Sequence, residues 1–250
     1  MHLLVRDAAV LPAPEKISVK ADGAERLAAL YAFPPLAEGQ VHVRAVMNTT
    51  VDGAIAGADG TSGTLYDPDD SFLFGVLRAL SDVVLVGAGT VRVEDYRHPS
   101  GRSDLRDPSR RPAGADRPVL AIRTTTGELP DSVEADWPTL LITPPQHRET
   151  VLERTGFPAE QVIAAADEEA AISALAARGL RGIQAEGGPS ALGRLAAAGL
   201  LDELCFTVSH CTVGGSSPRV LDGPAHRTSW ELSSLLLGER STITRYRRAA

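Results

Sequence analysis

The chain contains few of the residues that mark secreted or metal-binding proteins. Only two of its 250 residues are cysteines, Cys205 and Cys211, and no CxxC pair occurs. Neither a disulfide framework nor a structural zinc site is therefore expected, and we predict two reduced, buried thiols. The four histidines from His98 onward show no metal-ligand spacing either. We expect no bound metal.

Long apolar runs and basic clusters are also missing. No run approaches the roughly 18 apolar residues of a membrane span, and the apolar start of the chain is too short for a signal peptide. The net charge is −7, and basic residues cluster only at Tyr246-Arg247-Arg248. These absences exclude a membrane or nucleic-acid partner from our expectations and predict a cytoplasmic location.

The composition and the spacing of apolar residues predict an α/β protein. Hydrophobic residues make up 43% of the chain but aromatic residues only 4%, so the core is aliphatic. Short apolar runs alternate with helical segments, which predicts a mostly parallel central sheet with helices on both faces. Three strand-like runs then follow without an intervening helix, which predicts antiparallel C-terminal strands. The predicted strands are 41–47, 82–86, 119–122, 139–143, 161–165, 182–185, 203–213, 230–237 and 241–248, and the predicted helices are 24–30, 67–80, 149–156, 167–178 and 190–198.

Two domain segments follow from this pattern. Residues 1–40 contain only a short helical patch and are expected to be an N-terminal extension packed on the domain. Residues 41–250 are expected to form one domain. Asp67 and Pro68 mark the start of a helix inside it, with Asp67 as the cap. The segments 48–63 and 97–117 are predicted as loops.

Two glycine turns are the most informative feature of the chain. Val86-Gly87-Ala88-Gly89-Thr90 and Glu186-Gly187-Gly188-Pro189 each close an apolar run and each precede a predicted helix. A glycine turn at the carboxyl end of a strand lets backbone N–H groups approach a phosphate closely. The first turn matches neither the Rossmann fingerprint nor a P-loop. Two such turns predict one long ligand with two charged groups, which indicates a dinucleotide.

Four further segments carry candidate site residues. Glu186 lies between a buried strand and a Gly-Gly pair, where a hydrogen bond to a ligand would explain a carboxylate. Thr49 to Gly53 holds an acid and two hydroxyls, which favour either a substrate contact or a simple turn. Arg123 to Thr126 suits the 2′-phosphate of NADPH or a solvated loop. Glu94-Asp95 could orient a substrate or be a solvated pair.

The order of these motifs resembles a known family. The chain is similar to the reductase domain of bacterial riboflavin biosynthesis, which shares the dihydrofolate reductase fold, and most of all to stand-alone actinobacterial proteins of the pyrimidine reductase family. The resemblance runs from about Val41 to Arg248. The motifs that carry it are Thr50-Val51-Asp52-Gly53, Val86-Gly87-Ala88-Gly89-Thr90-Val91, Glu186-Gly187-Gly188-Pro189, Leu201-Asp202-Glu203-Leu204 and Val213-Gly214-Gly215.

The resemblance implies NADPH as the hydride donor, with a homodimer built through the final antiparallel strands. It implies that Asp52 lies near nicotinamide and substrate, and that Glu94 and Asp95 contact the substrate. Asp52 and Glu186 are our candidates for orienting the substrate and assisting proton transfer. The cofactor contacts implied are Thr50, Gly53, Val86, Gly87, Ala88, Gly89, Thr90, Val91, Arg123, Thr124, Glu186, Gly187 and Gly188.

The expected activity is reduction of 5-amino-6-(5-phosphoribosylamino)uracil at the ribosyl C1′. Two departures from the family lie on the substrate side. The family often carries a lysine in the first strand before the Asp-Gly motif, and the nearest cation in this chain is Arg44. After the first glycine turn, Glu94-Asp95-Tyr96 stands where the family has Asp-Asp-Pro. Two alternatives remain open. One is a dihydrofolate or pterin reductase, whose helix carboxylate corresponds to Asp69 or Asp70, although helix capping also explains these acids. The other is a catalytically inactive NADPH-binding protein.

Overall fold

The computed structural model describes residues 1–133 and 137–249. Within these ranges eleven β-strands form a single sheet flanked by six α-helices. Here no helix has the length and apolar character needed to cross a membrane. The elements in chain order are β1 (His2–Arg6), β2 (Ala9–Lys16), α1 (Ala21–Leu30), β3 (His42–Thr50), α2 (Pro68–Leu80), β4 (Val83–Gly87), α3 (Ala88–Val93), β5 (Val119–Arg123), β6 (Thr139–Thr143), α4 (Arg148–Thr155), β7 (Val162–Ala164), α5 (Glu168–Ala176), β8 (Gly182–Ala185), α6 (Pro189–Ala197), β9 (Glu203–Ser209), β10 (Trp230–Leu237) and β11 (Ser241–Arg248).

The sheet has a parallel half and an antiparallel half. Its strand order is β2-β1-β10-β11-β9-β3-β8-β4-β5-β6-β7. All neighbours from β9 to β7 pair in parallel, and all neighbours from β2 to β9 pair antiparallel. The predicted fold class, an α/β protein with a mostly parallel central sheet and antiparallel C-terminal strands, is confirmed.

Helices cover both faces of the parallel half, as predicted. Because side chains alternate along a strand, each strand contributes to two separate cores. On one face β3, β4 and β8 pack against α5 and α6. On the other face β3, β9 and β11 pack against α1 and α2, while β4, β5 and β6 pack against α3 and α4.

The largest difference from the predicted strands lies in the first 40 residues. β1 and β2 form a hairpin, and β1 pairs with β10, so this segment extends the sheet. The connecting residues Asp7 and Ala8 have φ angles of 50° and 62°. A tight hairpin turn with positive φ is normally signalled by Asn-Gly or Asp-Gly. The hairpin was missed because alanine occupies the position where glycine is expected.

Two strand ends also differ. β3 continues to Thr50, inside the segment predicted as a loop, because it pairs with β9 as far as Ser209. β9 ends at Ser209 rather than at Val213. Of the two thiols predicted to be buried, Cys205 is buried and Cys211, which lies beyond the end of β9, is exposed. Both are free thiols.

Helix α2 begins as its sequence predicts. The Asp67 side chain accepts hydrogen bonds from the backbone N–H groups of Asp69 and Asp70, both at 3.0 Å, and Pro68 occupies the first turn. The predicted apolar face is buried against the sheet: Leu73, Val76, Leu77 and Leu80. The cap therefore belongs to Asp67, which leaves the side chain of Asp70 available for other contacts.

A buried ion network joins the two halves of the sheet to α1. Glu203 on β9 accepts hydrogen bonds from Arg44 Nε of β3 at 2.5 Å and from Arg245 Nη2 of β11 at 2.6 Å. The same guanidinium groups donate to the carbonyls of Tyr31 and Leu30 at the C-terminal end of α1, each at 2.6 Å. Cations at this end of a helix also interact favourably with its dipole. Arg44 thus points into the core beneath α1.

The surroundings of Glu203 keep its carboxylate ionised. Burial alone would raise the pKa of this carboxyl, but the guanidinium groups of Arg44 and Arg245, together with a hydrogen bond from His42, hold it well below its usual range. An acid whose pKa is depressed by folding stabilises the fold above its unfolded pKa. That contribution is lost as the pH falls through the lower, folded pKa.

Replacing Glu203 with glutamine should lower the free energy of unfolding by about 3–5 kcal/mol, since two buried guanidinium groups lose their shared counter-charge. Urea unfolding at neutral pH measures the difference. Glu231→Gln on β10, an exposed position, is the matched control and should change stability little. A Glu203→Gln protein as stable as the control would contradict a stabilising role for the network.

Candidate functional site

The fold brings the two predicted glycine turns together. β4 and β8 are adjacent parallel strands, so their carboxyl ends lie at the same edge of the sheet. The N–H of Gly87 donates to the carbonyl of Gly187 at 2.9 Å. α3 begins directly after Gly87 and α6 directly after Gly188, as the sequence predicts. A Cβ on Gly188 would lie 2.7 Å from Thr90 Oγ1, so a side chain at this position would displace the Thr90 hydroxyl.

A long cleft, which we call the glycine cleft, runs along this edge. It has a volume of about 950 Å³ and lies between the turn after β4, the segment after β5 and the start of α6. Several predicted cofactor contacts line it, whereas Val86 and Val91 lie in the core below. The lining residues from those predicted are Gly87, Ala88, Gly89, Thr90, Arg123, Thr124 and Gly188.

Positive charge concentrates at one side of the glycine cleft. Arg123 and Arg194 both line it, and Glu168 lies between them, 3.3 Å from Arg123 Nε and 2.6 Å from Arg194 Nε. Glu168 is buried and does not line the cleft. Two guanidinium groups fixed by one carboxylate leave N–H donors and a net positive charge for a phosphate group. Thr124 is buried and its hydroxyl accepts a hydrogen bond from the N–H of Gly127.

A second cavity, the acid pocket, opens beside the glycine cleft. It has a volume of about 370 Å³ and lies between α2, β3 and the turn after β8. Residues Ile55, Thr90, Glu94, Gly188 and Pro189 line both cavities, so the two are contiguous. Four carboxylates and one cation line the acid pocket among the described residues: Asp67, Asp70, Glu94, Glu186 and Arg78.

Glu186 is saturated with hydrogen bonds. Arg78 Nε and Nη2 donate to its two oxygens at 2.8 and 2.7 Å, Tyr96 Oη donates at 2.6 Å and Gln184 Nε2 donates at 2.7 Å. The Arg78 guanidinium also stacks 4.2 Å above the ring of Phe74. With every lone-pair direction used, Glu186 holds Arg78 and Tyr96 in place in the wall of the pocket.

This arrangement fixes the charge states of both partners. Burial alone would lower the pKa of the Arg78 guanidinium, but the adjacent Glu186 carboxylate raises it overall. Burial raises the pKa of Tyr96 well above its usual value, and the charge of Glu186 adds to this effect. At neutral pH the pocket wall therefore presents a cationic guanidinium and a neutral phenol.

Asp70 lies on α2 with its carboxylate in the acid pocket. Thr207 Oγ1 donates to its Oδ1 at 2.5 Å, and Asn48 Nδ2 lies 3.5 Å from its Oδ2. Burial raises the pKa of Asp70 to about 6, with a smaller contribution from the charge of Asp67. Asp70 thus changes its protonation state close to neutral pH within a cavity large enough for a ring system.

The predicted substrate contacts Glu94 and Asp95 occupy different positions. Glu94 lines both cavities, and its carboxylate accepts hydrogen bonds from the N–H and the hydroxyl of Ser62 at 2.9 and 3.0 Å. These hydrogen bonds hold the loop after β3 against the two cavities. Asp95 is exposed, has a φ of 44°, and lies outside the residues lining the acid pocket.

Thr50, Asp52 and Gly53 line a different groove beside β9, which meets the glycine cleft at Ser217. The Asp52 carboxylate accepts hydrogen bonds from Thr50 Oγ1 and from the N–H groups of Val213 and Gly214, the latter at 2.8 Å. The Thr50 hydroxyl and these N–H groups lower the pKa of Asp52. The observed role of Asp52 is to tie the loop after β9 to the end of β3.

Sequence reasoning missed Arg78, Tyr96 and Arg194, and it left Asp70 open between helix capping and a pterin contact. A signal for two of them was present. Asp70, Phe74 and Arg78 are spaced four residues apart, so they share one face of α2 beside its apolar face. That face borders the acid pocket. Tyr96 and Arg194 carry no comparable pattern, because their partners Glu186 and Glu168 are distant in sequence.

Comparisons with known proteins agree with this architecture. The family model named RibD C-terminal domain matches residues 41–242. The chain belongs to this family. No curated protein matches it in sequence. The first 40 residues lie outside the part that matches the RibD C-terminal domain.

Solved structures show the same fold at low identity. A pyrimidine reductase-like protein from Corynebacterium diphtheriae superposes with a TM-score of 0.75 at 23% identity, over 90% of this chain and 98% of that one. A deaminase/5-amino-6-(5-phosphoribosylamino)uracil reductase from Thermotoga maritima has a TM-score of 0.65 at 20% identity, over 84% of this chain and 57% of that one. The riboflavin biosynthesis reductase Rib7 from Saccharomyces cerevisiae has a TM-score of 0.60 at 15% identity, over 86% of this chain and 93% of that one.

The hydrogen bonds of Tyr96 should be measurable by removing its hydroxyl. Tyr96→Phe leaves Glu186 and Arg78 each without one buried partner, so we expect the free energy of unfolding to fall by about 1–3 kcal/mol. Thermal or urea unfolding checks this value. Tyr66→Phe, at an exposed tyrosine that also lines the acid pocket, is the control and should be nearly neutral. Equal stability of the two variants would show that the Tyr96 hydroxyl contributes nothing.

Proposed function

We propose that this protein is an NADPH-dependent reductase that binds the cofactor in the glycine cleft and its substrate in the acid pocket. The observation that carries the proposal is the contact between the two cavities at Thr90, Glu94 and Gly188. A reductase needs its hydride donor and its substrate side by side, shielded from water. Membership of the RibD C-terminal domain family supports the same reaction class.

The residues of the glycine cleft fit a dinucleotide. The paired turns place main-chain groups at the starts of α3 and α6, and no side chain projects from Gly87, Gly89 or Gly188 to obstruct a pyrophosphate. Arg123 and Arg194 would hold the 2′-phosphate, which favours NADPH over NADH. When bound, the cofactor supplies a hydride from its nicotinamide ring.

The side chains of the acid pocket position the substrate. Glu186 acts through Arg78 and Tyr96, whose N–H and O–H groups it fixes, and we assign it the role of a positioning residue. Asp52 also acts as a positioning residue, because it secures the loop that closes the far end of the cleft through Ser217. Since Glu186 is fully hydrogen-bonded, we propose that the proton required by the reaction comes from water held at this wall.

The first candidate substrate is 5-amino-6-(5-phosphoribosylamino)uracil, which would be reduced at the ribosyl C1′ to the ribitylamino product. It is the substrate named for the Thermotoga maritima protein of the same fold. A homodimer and a cytoplasmic location remain predictions. The uncovered sheet face around Leu204, Phe206 and Val208, which is only partly buried in this chain, is the surface we assign to dimer contact.

Purified protein should oxidise NADPH when 5-amino-6-(5-phosphoribosylamino)uracil is added, as followed by the absorbance of reduced nicotinamide. Arg123→Gln and Arg194→Gln should each raise the KM for NADPH by about 10-fold or more and leave that for NADH almost unchanged, because each removes a cation from the 2′-phosphate position. Arg154→Gln, an exposed arginine on α4, is the control.

Three outcomes separate the hypotheses. Turnover with the expected selectivity supports the proposal. Tight NADPH binding without turnover of any pyrimidine or pterin identifies a binding protein that is catalytically inactive. No binding of either reduced nicotinamide cofactor removes the reductase assignment altogether.

Dihydrofolate is the second candidate substrate, and Asp70 favours it. In dihydrofolate reductases a helix carboxylate holds the pterin ring, and Asp70 lies on α2 with its carboxylate in the acid pocket. Among the described residues the pocket wall contains four acids, and the one cation found there is paired with Glu186. This balance suits the N–H donors of a 2-aminopyrimidine ring better than a phosphate.

Asp70→Asn tests this second candidate through its pH dependence. Ionised Asp70 can accept hydrogen bonds from the ring, so the KM for dihydrofolate should fall as the pH rises through about 6 in the unchanged protein. The variant should lose this inflection. Asp69→Asn, the neighbouring acid outside the pocket lining, should keep it. An inflection that survives in Asp70→Asn would assign it to another group.

A further inference from the structure

A third cavity lies at the opposite edge of the sheet from the candidate active site. It has a volume of about 530 Å³, within the range of small-molecule sites. Three guanidinium groups, of Arg110, Arg111 and Arg181, and one carboxylate, of Glu25, line it. Phe33, Pro34 and Leu36 supply an apolar wall. We call it the arginine pocket.

Arg181 makes the walls of this pocket rigid. Its guanidinium donates to the carbonyl of Leu36 at 3.0 Å and to that of Pro112 at 2.6 Å, so it joins the two loops that face each other. Phe33 and Pro112 also close around Gly182, where a Cβ would lie 3.1 Å and 2.9 Å from them. The cavity is therefore built by the fold, and a ligand would not have to assemble it.

The other two arginines have unused donors. Arg111 is 5% exposed, and its Nη1 donates to the carbonyl of Ala115 at 2.8 Å. Its Nε and the Nε of Arg110 are both buried without an acceptor among the described residues. A buried donor that makes no hydrogen bond costs free energy.

The nearby acids do not satisfy these donors. Glu25 accepts a hydrogen bond from Arg110 Nη2 at 2.8 Å. The Asp82 carboxylate is used by the N–H groups of Ala113, Arg181 and Gly182. Asp82 and Asp116 act on Arg111 only through their charge, since no ion pair within 4.0 Å joins Arg111 to an acid of the described chain.

We propose that the arginine pocket is a second ligand site, which takes a small molecule carrying a phosphate group on an apolar body. The guanidinium groups in the lining outnumber its carboxylate, and this excess of positive charge is suited to the oxygens of a phosphate, while the Phe33 and Pro34 wall would contact the apolar part. The site is separate from the proposed cofactor phosphates, since Arg181 precedes β8 and the glycine turn follows it.

Titration of ¹⁵N-labelled protein with phenyl phosphate, and with inorganic phosphate alone, locates the binding. Saturable shifts are expected at the amides of Arg110, Arg111 and Gly182, with phenyl phosphate tighter than phosphate by about 3-fold or more because of the apolar wall. Shifts confined to Gly87, Gly89 and Thr90, or no saturable shift at all, would overturn the proposal. This readout does not depend on whether the protein is a reductase.

Three arginine variants test which side chains bind phenyl phosphate. Arg111→Met should weaken phenyl phosphate by about 10-fold or more, since it removes a buried charge-assisted donor and keeps the volume. Arg110→Gln, at a more exposed side chain, should weaken it by about 3-fold or more and serves as the decisive variant if Arg111→Met does not fold. Arg106→Gln removes an exposed arginine from the same loop and should have no effect. Equal losses in Arg106→Gln and Arg110→Gln would mean that general charge, and not this pocket, attracts the ligand.

Discussion

The buried carboxylate of Glu203 is the constraint on which the rest of the fold depends. It lies where the antiparallel half of the sheet meets the parallel half, and it neutralises guanidinium groups from the strands on both sides. Those guanidinium groups also bind the last carbonyls of α1, so one charge connects β3, β9, β11 and the first helix. Removing it would leave two cations in an apolar core. Because β3 is fixed in this way, its neighbour β8 and the turn that follows β8 are fixed as well.

The same physical device recurs at the candidate site with a different consequence. Glu186 also binds a guanidinium through both oxygens, and here the cation faces a cavity. At Glu203 the carboxylate and its guanidinium partners are buried in the core and stabilise the packing of the strands. At Glu186 the carboxylate fixes Arg78 and Tyr96 in the wall of a cavity. A carboxylate next to a glycine turn was predicted to hydrogen-bond a ligand; its oxygens accept hydrogen bonds from the protein, and we therefore propose that Arg78 and Tyr96 contact the ligand.

Much of the fold follows from local patterns, and the exceptions have physical causes. The strands of the parallel half were predicted from short apolar runs, and α2 from Asp67, Pro68 and the apolar spacing after them. β1 and β2 were missed, because the turn between them uses Ala8 at a positive φ and so lacks a glycine signal. Asp70 was left open between helix capping and a pterin contact, because a carboxylate in a first helical turn fits both, and only the packing of α2 on β9 places it against Thr207.

By itself the sequence determined the alternation of strands and helices, the two glycine turns and the helix that each turn opens, because these depend on residues a few positions apart. Only the tertiary structure decided which charges meet. Arg78 and Glu186 are 108 positions apart, Asp70 and Thr207 are 137 apart, and Arg44 and Glu203 are 159 apart. Such pairs form because strands distant in the chain become neighbours in the sheet and because α2 packs across the sheet. No periodicity within a short segment determines that arrangement.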